Sequence, residues 1–284
     1  FVSQVHAETT AGAHVSWAWA GTDAAPTKII CGNDAAEPPT AVTTGATVGV
    51  TGADFNLRLG GNMYCEGIQF NAGSGANTSY LQANYSTGNY VQRYVNCNLY
   101  LSNSSYLSIM SIGANNLGDG PRTTLTNCNF KFGHADQQIQ LRGEVHIVGG
   151  GIAAGGTSLT YLFHCNSAGV AVKGLVEGFS FANFSAGFHL LLAPSKIGSM
   201  VFRGCTMPAS WTGSLVSSAI TCPAFRAELY DCSNATTTWP LWIEDYCGTI
   251  KAETTLVRTG SLAPYSLKMT SNAKASEAFL QLKS

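Results

Sequence analysis

The chain is poor in charge. Asp, Glu, Lys and Arg supply 11% of its 284 residues, where a soluble domain carries about a quarter. Surface helices lean on those residues, so exposed helices are not expected to dominate. The net charge is −1 and no basic run occurs. That excludes the dense Lys/Arg face by which proteins grip phosphate backbones, and no nucleic acid is expected as a partner. No apolar stretch reaches the roughly 20 residues of a membrane-spanning helix, so no membrane partner is expected either. No C-x-x-C pair is present and the six histidines are scattered. Zinc and iron–sulfur spacings are thus missing, and neither a metal nor another cofactor is expected. Nine cysteines, an odd number in a chain this long, do not read as a disulfide framework. Gly149-Gly150-Gly151 lacks the Lys-Ser/Thr of a phosphate loop and the full dinucleotide fingerprint, and reads as a flexible coil corner. No secretory signal peptide is evident. Phe1 in the place of a Met, and the abrupt end at Ser284, lead us to expect that one or both natural ends are missing.

What is present favours strands and tight turns. The polar surface must be built from Ser, Thr, Asn, Gln and Gly, and the 31 glycines imply many turns. Cysteines stand at 31, 65, 97, 128, 165, 205, 222, 232 and 247, with first gaps of 34, 32, 31 and 37 residues. Spacings in this range mark repeat architectures. Local context repeats too: Val95-Asn96-Cys97-Asn98-Leu99-Tyr100-Leu101 aligns with Thr126-Asn127-Cys128-Asn129-Phe130-Lys131-Phe132. Read as strands, Cys97, Leu99 and Leu101 face one side, and Asn96, Asn98 and Tyr100 the other. Phe130→Asp should then prevent folding, whereas Asn129→Asp should be nearly silent. Cys65-Glu66-Gly67-Ile68-Gln69-Phe70 echoes Val176-Glu177-Gly178-Phe179-Ser180-Phe181, with the glycine at a corner closed to side chains. Weaker echoes precede Cys205 and Cys232. An antiparallel sandwich shows no repeat of fixed length, so the repeats favour a right-handed parallel β-helix, all-β and elongated. Cys97 and Cys128 would be rungs of an internal ladder, acting as small hydrophobes. Residues 1–51 read as an N-terminal cap with first strands, 52–250 as the coils, and 251–284 as a C-terminal cap or the start of a further module.

Candidate chemistry is sparse. A polysaccharide-cleaving solenoid needs carboxylates about 5–10 Å apart. Glu244 and Asp245 are adjacent, and would face opposite sides of one strand. Glu228 and Asp231 precede Cys232 as Glu244 and Asp245 precede Cys247, so stacking could bring Asp231 near Asp245. That is the strongest catalytic candidate, against the plainer reading of isolated surface acids, and no catalytic residue is assigned. Trp239, Trp242 and Trp211 could stack on sugar rings, though such residues more often pack cores or interfaces. His134, His146, His164 and His189 belong to no triad, and His164 and Cys165 point apart. N-x-S/T triplets at Asn77, Asn84, Asn103, Asn183 and Asn234 carry little weight in so Asn-rich a chain.

Three stretches carry a resemblance: His6 to Ala13, Ala24 to Asp34, and Cys65 to Phe70, with Lys268 to Lys274 near the end. They resemble a family of tailed-bacteriophage virion proteins built as right-handed β-helices. The resemblance spans most of the chain and rests on turn and core patterns, so it transfers no active-site residue. It implies a non-enzymatic structural protein on the phage particle surface, a head decoration protein or fibre, touching the major capsid protein or other virion proteins. Members like this one often form homotrimers of solenoids side by side, which would bury outward residues such as Tyr100 or Trp211. A tailspike that binds or cleaves host glycan shares the fold and is the alternative. A secreted polysaccharide lyase or adhesin is a third reading, without the signal sequence or catalytic cluster it calls for.

Overall fold

A computed structural model describes residues 1–51, 55–84, 90–113, 122–165, 171–192, 198–209, 211, 216–217, 222–234, 247–254 and 279–281. Beyond Trp211, side chains are described only for Phe225, Ala227, Cys232 and Ser233. The described residues form strands and turns with no helix. The strands build three sheets, and every pairing between named strands is parallel.

The first sheet stacks Val2–Ser3, Thr27–Gly32, Met63–Glu66, Gln92–Val95, Thr123–Thr126, Gly143–Val148, Val172–Glu177, Gly198–Arg203, Cys222–Asn234, Cys247–Thr254 and Phe279–Gln281. The second stacks Ala7–Thr10, Thr47–Val50, Gln69–Ala72, Asn98–Leu101, Asn129–Phe132 and Gly151–Ile152. Single bridges carry it on through Ser180 to Thr206. The third stacks Val15–Trp19, Leu57–Gly61, Tyr80–Ala83, Ile109–Ile112, Gln138–Leu141, Tyr161–His164, His189–Leu192 and Val216–Ser217. Through most of its length the chain visits the sheets in turn and returns to the first one coil further on. The fold is therefore a parallel β-solenoid.

Alternation explains the interior. Along Asn98–Leu101 and Asn129–Phe132, Leu99, Leu101, Phe130 and Phe132 are buried while Asn98, Tyr100, Asn129 and Lys131 lie half-exposed outside. The facing expected for those residues holds. The expected unbroken strand does not. Asn96 and Asn127 sit at φ 52, so each seven-residue repeat is two strands meeting at a corner. The same corner is made by Gly67 (φ 74), Gly149 (φ 65), Gly178 (φ 61) and Gly204 (φ 59). Left-handed backbone suits glycine, and among other residues it suits Asn best. These corners form a hydrogen-bonded ladder. Gly67 N–H donates to Val95 O (3.0 Å), Asn96 to Thr126 O (2.9 Å), Asn127 to Val148 O (2.8 Å), Gly149 to Glu177 O (2.7 Å) and Gly178 to Arg203 O (2.8 Å). The corner at Gly149 is thus a bonded element rather than the flexible one expected.

The cysteines need a second correction. Asn98 pairs with Asn129, so Cys97 and Cys128 are neighbours one coil apart. Thr206 pairs with Ser233, which likewise stacks Cys205 on Cys232. Cys65, however, pairs with Tyr94 rather than with a cysteine. The true register steps along Cys65, Tyr94, Leu125, Ile147, Val176 and Phe202 are 29, 31, 22, 29 and 26 residues. The even cysteine gaps came partly from different positions within the coil. The seven cysteines whose side chains are described are all buried.

Aromatic rings line two parts of the interior, Trp17, Phe70 and Tyr94 in the early coils (centroids 6.1 and 6.0 Å apart) and, further on, Phe179 and Phe181 (4.8 Å), Phe181 and Phe188 (5.7 Å), and Phe188 and Trp211 (5.9 Å). Trp211 packs the core, the commoner of the places expected for it, and is not one of the outward residues of a trimer: it is 2% exposed and donates its indole N–H to Phe188 O at 2.7 Å. The ring belongs inside because that carbonyl satisfies its one polar atom.

Candidate functional site

A charged group lies on the outer face of the first sheet, where alternation points Glu144, His146, Lys173 and Glu177 away from the core. Register places Glu144 directly across from Lys173, and Glu177 across from Arg203. Lys173 Nζ lies 3.2 Å from Glu144 Oε1, His146 Nε2 lies 3.7 Å from the same oxygen, and Arg203 Nη1 lies 4.0 Å from Glu177 Oε1. The Glu144 side chain is only 6% exposed, so two potential cations share a nearly buried carboxylate. Burial pulls the His146 imidazole below its ordinary value, against the opposing pull of Glu144. Further along the same face Tyr64 donates to Glu66 Oε2 at 2.7 Å, and burial with that carboxylate pushes the phenol up to about 12.

The arrangement favours ion pairing over acid–base work. Glu144 and Glu177 are four residues apart along neighbouring strands, roughly 13 Å at about 3.3 Å per residue. That exceeds the 5–10 Å of a glycoside-cleaving pair. Each carboxylate already faces a cation. Arg122 and Asp23 form another pair at 2.5 Å, and His134 and Asp136 another at 3.8 Å. Among the described residues no group of three or more His, Cys, Asp or Glu is placed to hold a metal ion.

The outer face of the third sheet differs. Arg58, Gln82, Ser111, Gln140 and His164 are paired in register, forming one row along the axis. Ser111 Oγ lies 3.4 Å from Gln140 Oε1, which also accepts from Arg142 Nη2 at 3.4 Å. Burial lowers the His164 imidazole. Its neighbour Cys165 is fully buried, so the two side chains diverge as expected.

Asp245, Glu244, Trp239 and Trp242 lie outside the described residues, and only the backbones of Asp231 and Glu228 are described. The triplet asparagines divide. Asn77 is exposed, while Asn103 is fully buried, its Nδ2 donating to Asn77 O at 2.6 Å and to Ser108 Oγ. Gln137 Nε2 completes that internal network with Asn103 O (2.7 Å), Asn103 Oδ1 (3.0 Å) and Ser105 O (3.0 Å). Asn84 is 4% exposed and Asn183 donates to Ile152 O at 2.6 Å. Sequence reasoning missed the Glu144–His146–Lys173 group because Lys173 comes 29 residues after Glu144. The signal available was the shared outward parity of Glu144 and His146.

Comparison with models of protein families, with curated proteins and with solved structures gives no match.

Proposed function

We propose that this chain is a non-enzymatic structural protein of a bacteriophage particle, a capsid decoration protein or head fibre displayed on the virion surface. The carrying observation is the outer surface of the solenoid. The described carboxylates on it are dispersed, and those at Glu144 and Glu177 sit against cations. On the second sheet it carries a run of amides, Gln69, Asn71, Asn98 and Asn129. Such a surface suits protein packing, and the resemblance of His6 to Ala13 and Cys65 to Phe70 to phage virion proteins points the same way. The handedness proposed is right-handed, the hand that parallel crossovers take almost without exception.

Copies pack laterally as a homotrimer in this reading, through the first sheet. Its outer face alternates charge with half-buried Val95, Val148, Leu175 and Val201. Leu175→Glu is expected to reduce the mass in solution from three copies to one. Gold-labelled antibody against the chain, applied to intact particles of the encoding phage, tests the location. Label over the capsid supports the proposal, and unlabelled particles sink it.

The row from Arg58 to His164 favours a second reading, a tail protein that binds a host glycan. A line of amide, hydroxyl and imidazole groups suits a polyhydroxyl chain laid along the axis. Label confined to the tail, with binding to host polysaccharide lost in Gln140→Ala, would favour it.

A further inference from the structure

One interior rung recurs coil by coil, beside the corner between the first and second sheets. Register places Ile68, Cys97, Cys128, Gly150, Phe179, Cys205 and Cys232 along it. Thiols occupy it only in adjacent pairs. Within each pair the sulfurs meet in a thiol–thiol hydrogen bond, Cys128 with Cys97 and Cys232 with Cys205. All four side chains are 0% exposed. Cys222 and Cys247 are a third pair of register partners further along. Cys65 differs, lying between Ile29 and Tyr94, and Cys31 lies beside Val2. Space filling explains a thiol in the rung, as it explains Ile68 and Phe179 there. It does not explain thiols falling next to thiols at three separate places.

We propose that Cys97 with Cys128, and Cys205 with Cys232, are crosslink sites, closed into disulfides between neighbouring coils by exchange with a low-molecular-weight disulfide as the chain folds. Stacked residues on parallel neighbours have Cα atoms about 4.8 Å apart, within the span of about 4.4–6.8 Å that a disulfide bridges. Each bond closes one whole coil and so removes that coil's freedom from the unfolded chain. Exchange needs a reachable thiolate, and the finished core hides these sulfurs, so both steps precede burial. First, one cysteine thiolate attacks the small disulfide, whose S–S bond breaks and releases one small thiol. The neighbouring cysteine then attacks the mixed disulfide and releases the second. Two electrons pass from the cysteine pair to the reagent, and the two protons leave on the released thiols. Once buried, the new bond is out of reach of a reductant. The two crosslinks use four of the nine cysteines, so an odd total is no obstacle. Crosslinking depends neither on a virion location nor on lateral packing.

The full chain, unfolded in urea and refolded with reduced and oxidised glutathione, provides the test. Remaining thiols are alkylated and the unreduced peptides are mapped by mass spectrometry. Cys97 should be joined to Cys128 and Cys205 to Cys232, with Cys31 and Cys65 alkylated. The same map is expected of chain exported to a bacterial periplasm, where thiols are oxidised during folding. Dithiothreitol should leave both links intact until urea is added. Cys128→Ser should leave Cys97 joined to no other cysteine and the second link unchanged. Alkylation of either pair, a link from Cys97 or Cys205 to any other cysteine, or reduction of the links without urea would each overturn the proposal.

Discussion

Two stretches of the solenoid make the same corner with different chemistry. From Gln92 to Leu141 the corners are Asn96 and Asn127, and the rung beneath them is a stacked pair of thiols, Cys97 on Cys128. From Gly143 to Met207 the corners are Gly149, Gly178 and Gly204, and the corresponding rung runs through Gly150 and Phe179 before a thiol returns at Cys205. The ladder of corner hydrogen bonds passes through both without a break. The backbone requirement is therefore fixed, while the side chains that meet it exchange. Where the rung is small, thiols fill it. Where it is large, Phe179 reaches Phe130 at 5.8 Å across two coils, over the gap left by Gly150.

The comparison can be broken most severely from inside. Phe130→Asp buries a charge where the ring is 0% exposed, and should cost more than about 4 kcal/mol, read as loss of the cooperative melt. Its neighbour Asn129 donates to Asn98 Oδ1 at 3.2 Å. Asn129→Asp turns that donor into a second oxygen, so it should cost about 1 kcal/mol rather than nothing. Next come the glycines. Gly150 has φ 76 and its added Cβ would strike the Cys128 backbone, whereas Gly75 has φ 70 and open space around it. Urea denaturation should give about 3 kcal/mol for Gly150→Ala and about 1 kcal/mol for Gly75→Ala.

Exchanging the corner residues sharpens the comparison. Gly178 has nothing nearer to an added Cβ than Gly149 N at 3.9 Å. Gly178→Asn should stay within about 0.5 kcal/mol of the parent, while Asn127→Ala loses about 1 kcal/mol because alanine resists the left-handed region. If alanine and asparagine behave alike at both corners, the corner ladder is not what selects the residue. The smallest effect is acidic. Burial lowers His146 from its ordinary 6.5, so the unfolded chain takes the proton first. The stability this contributes is present above pH 6.5 and is lost as pH falls through the folded value. The thermal midpoint of the parent should fall more steeply below that pH than that of His146→Gln.

Much of the fold was legible because a strand writes its facing into every second residue. Leu99 and Leu101, or Phe130 and Phe132, declare an interior without any knowledge of neighbours. The corners were legible only at glycine. Asn96 and Asn127 hid theirs, since an Asn between apolar residues reads equally well as a strand position facing water. Cysteine spacing indicated coils and then misled, because Cys65 and Cys97 occupy different places in the turn and coil lengths run from 22 residues (Leu125 to Ile147) to 42 (Val15 to Leu57). Local pattern left Trp211 open between core and surface, because its burial depends on a carbonyl 23 residues away. The Glu144–Lys173 pair was out of reach for the same reason: register across coils is a property of loop lengths, which local pattern does not contain.

The buried Asn103 has a practical corollary for producing the protein. A secretory pathway that attaches oligosaccharide to Asn-x-Ser sites acts on chains still being threaded, before any interior exists. A sugar placed there would occupy the nitrogen that holds Asn77 and Ser108 and would jam the coil open. Recombinant chains routed through such a compartment should accumulate as unfolded glycoforms, and Asn103→Gln would not rescue them without also rebuilding that internal network.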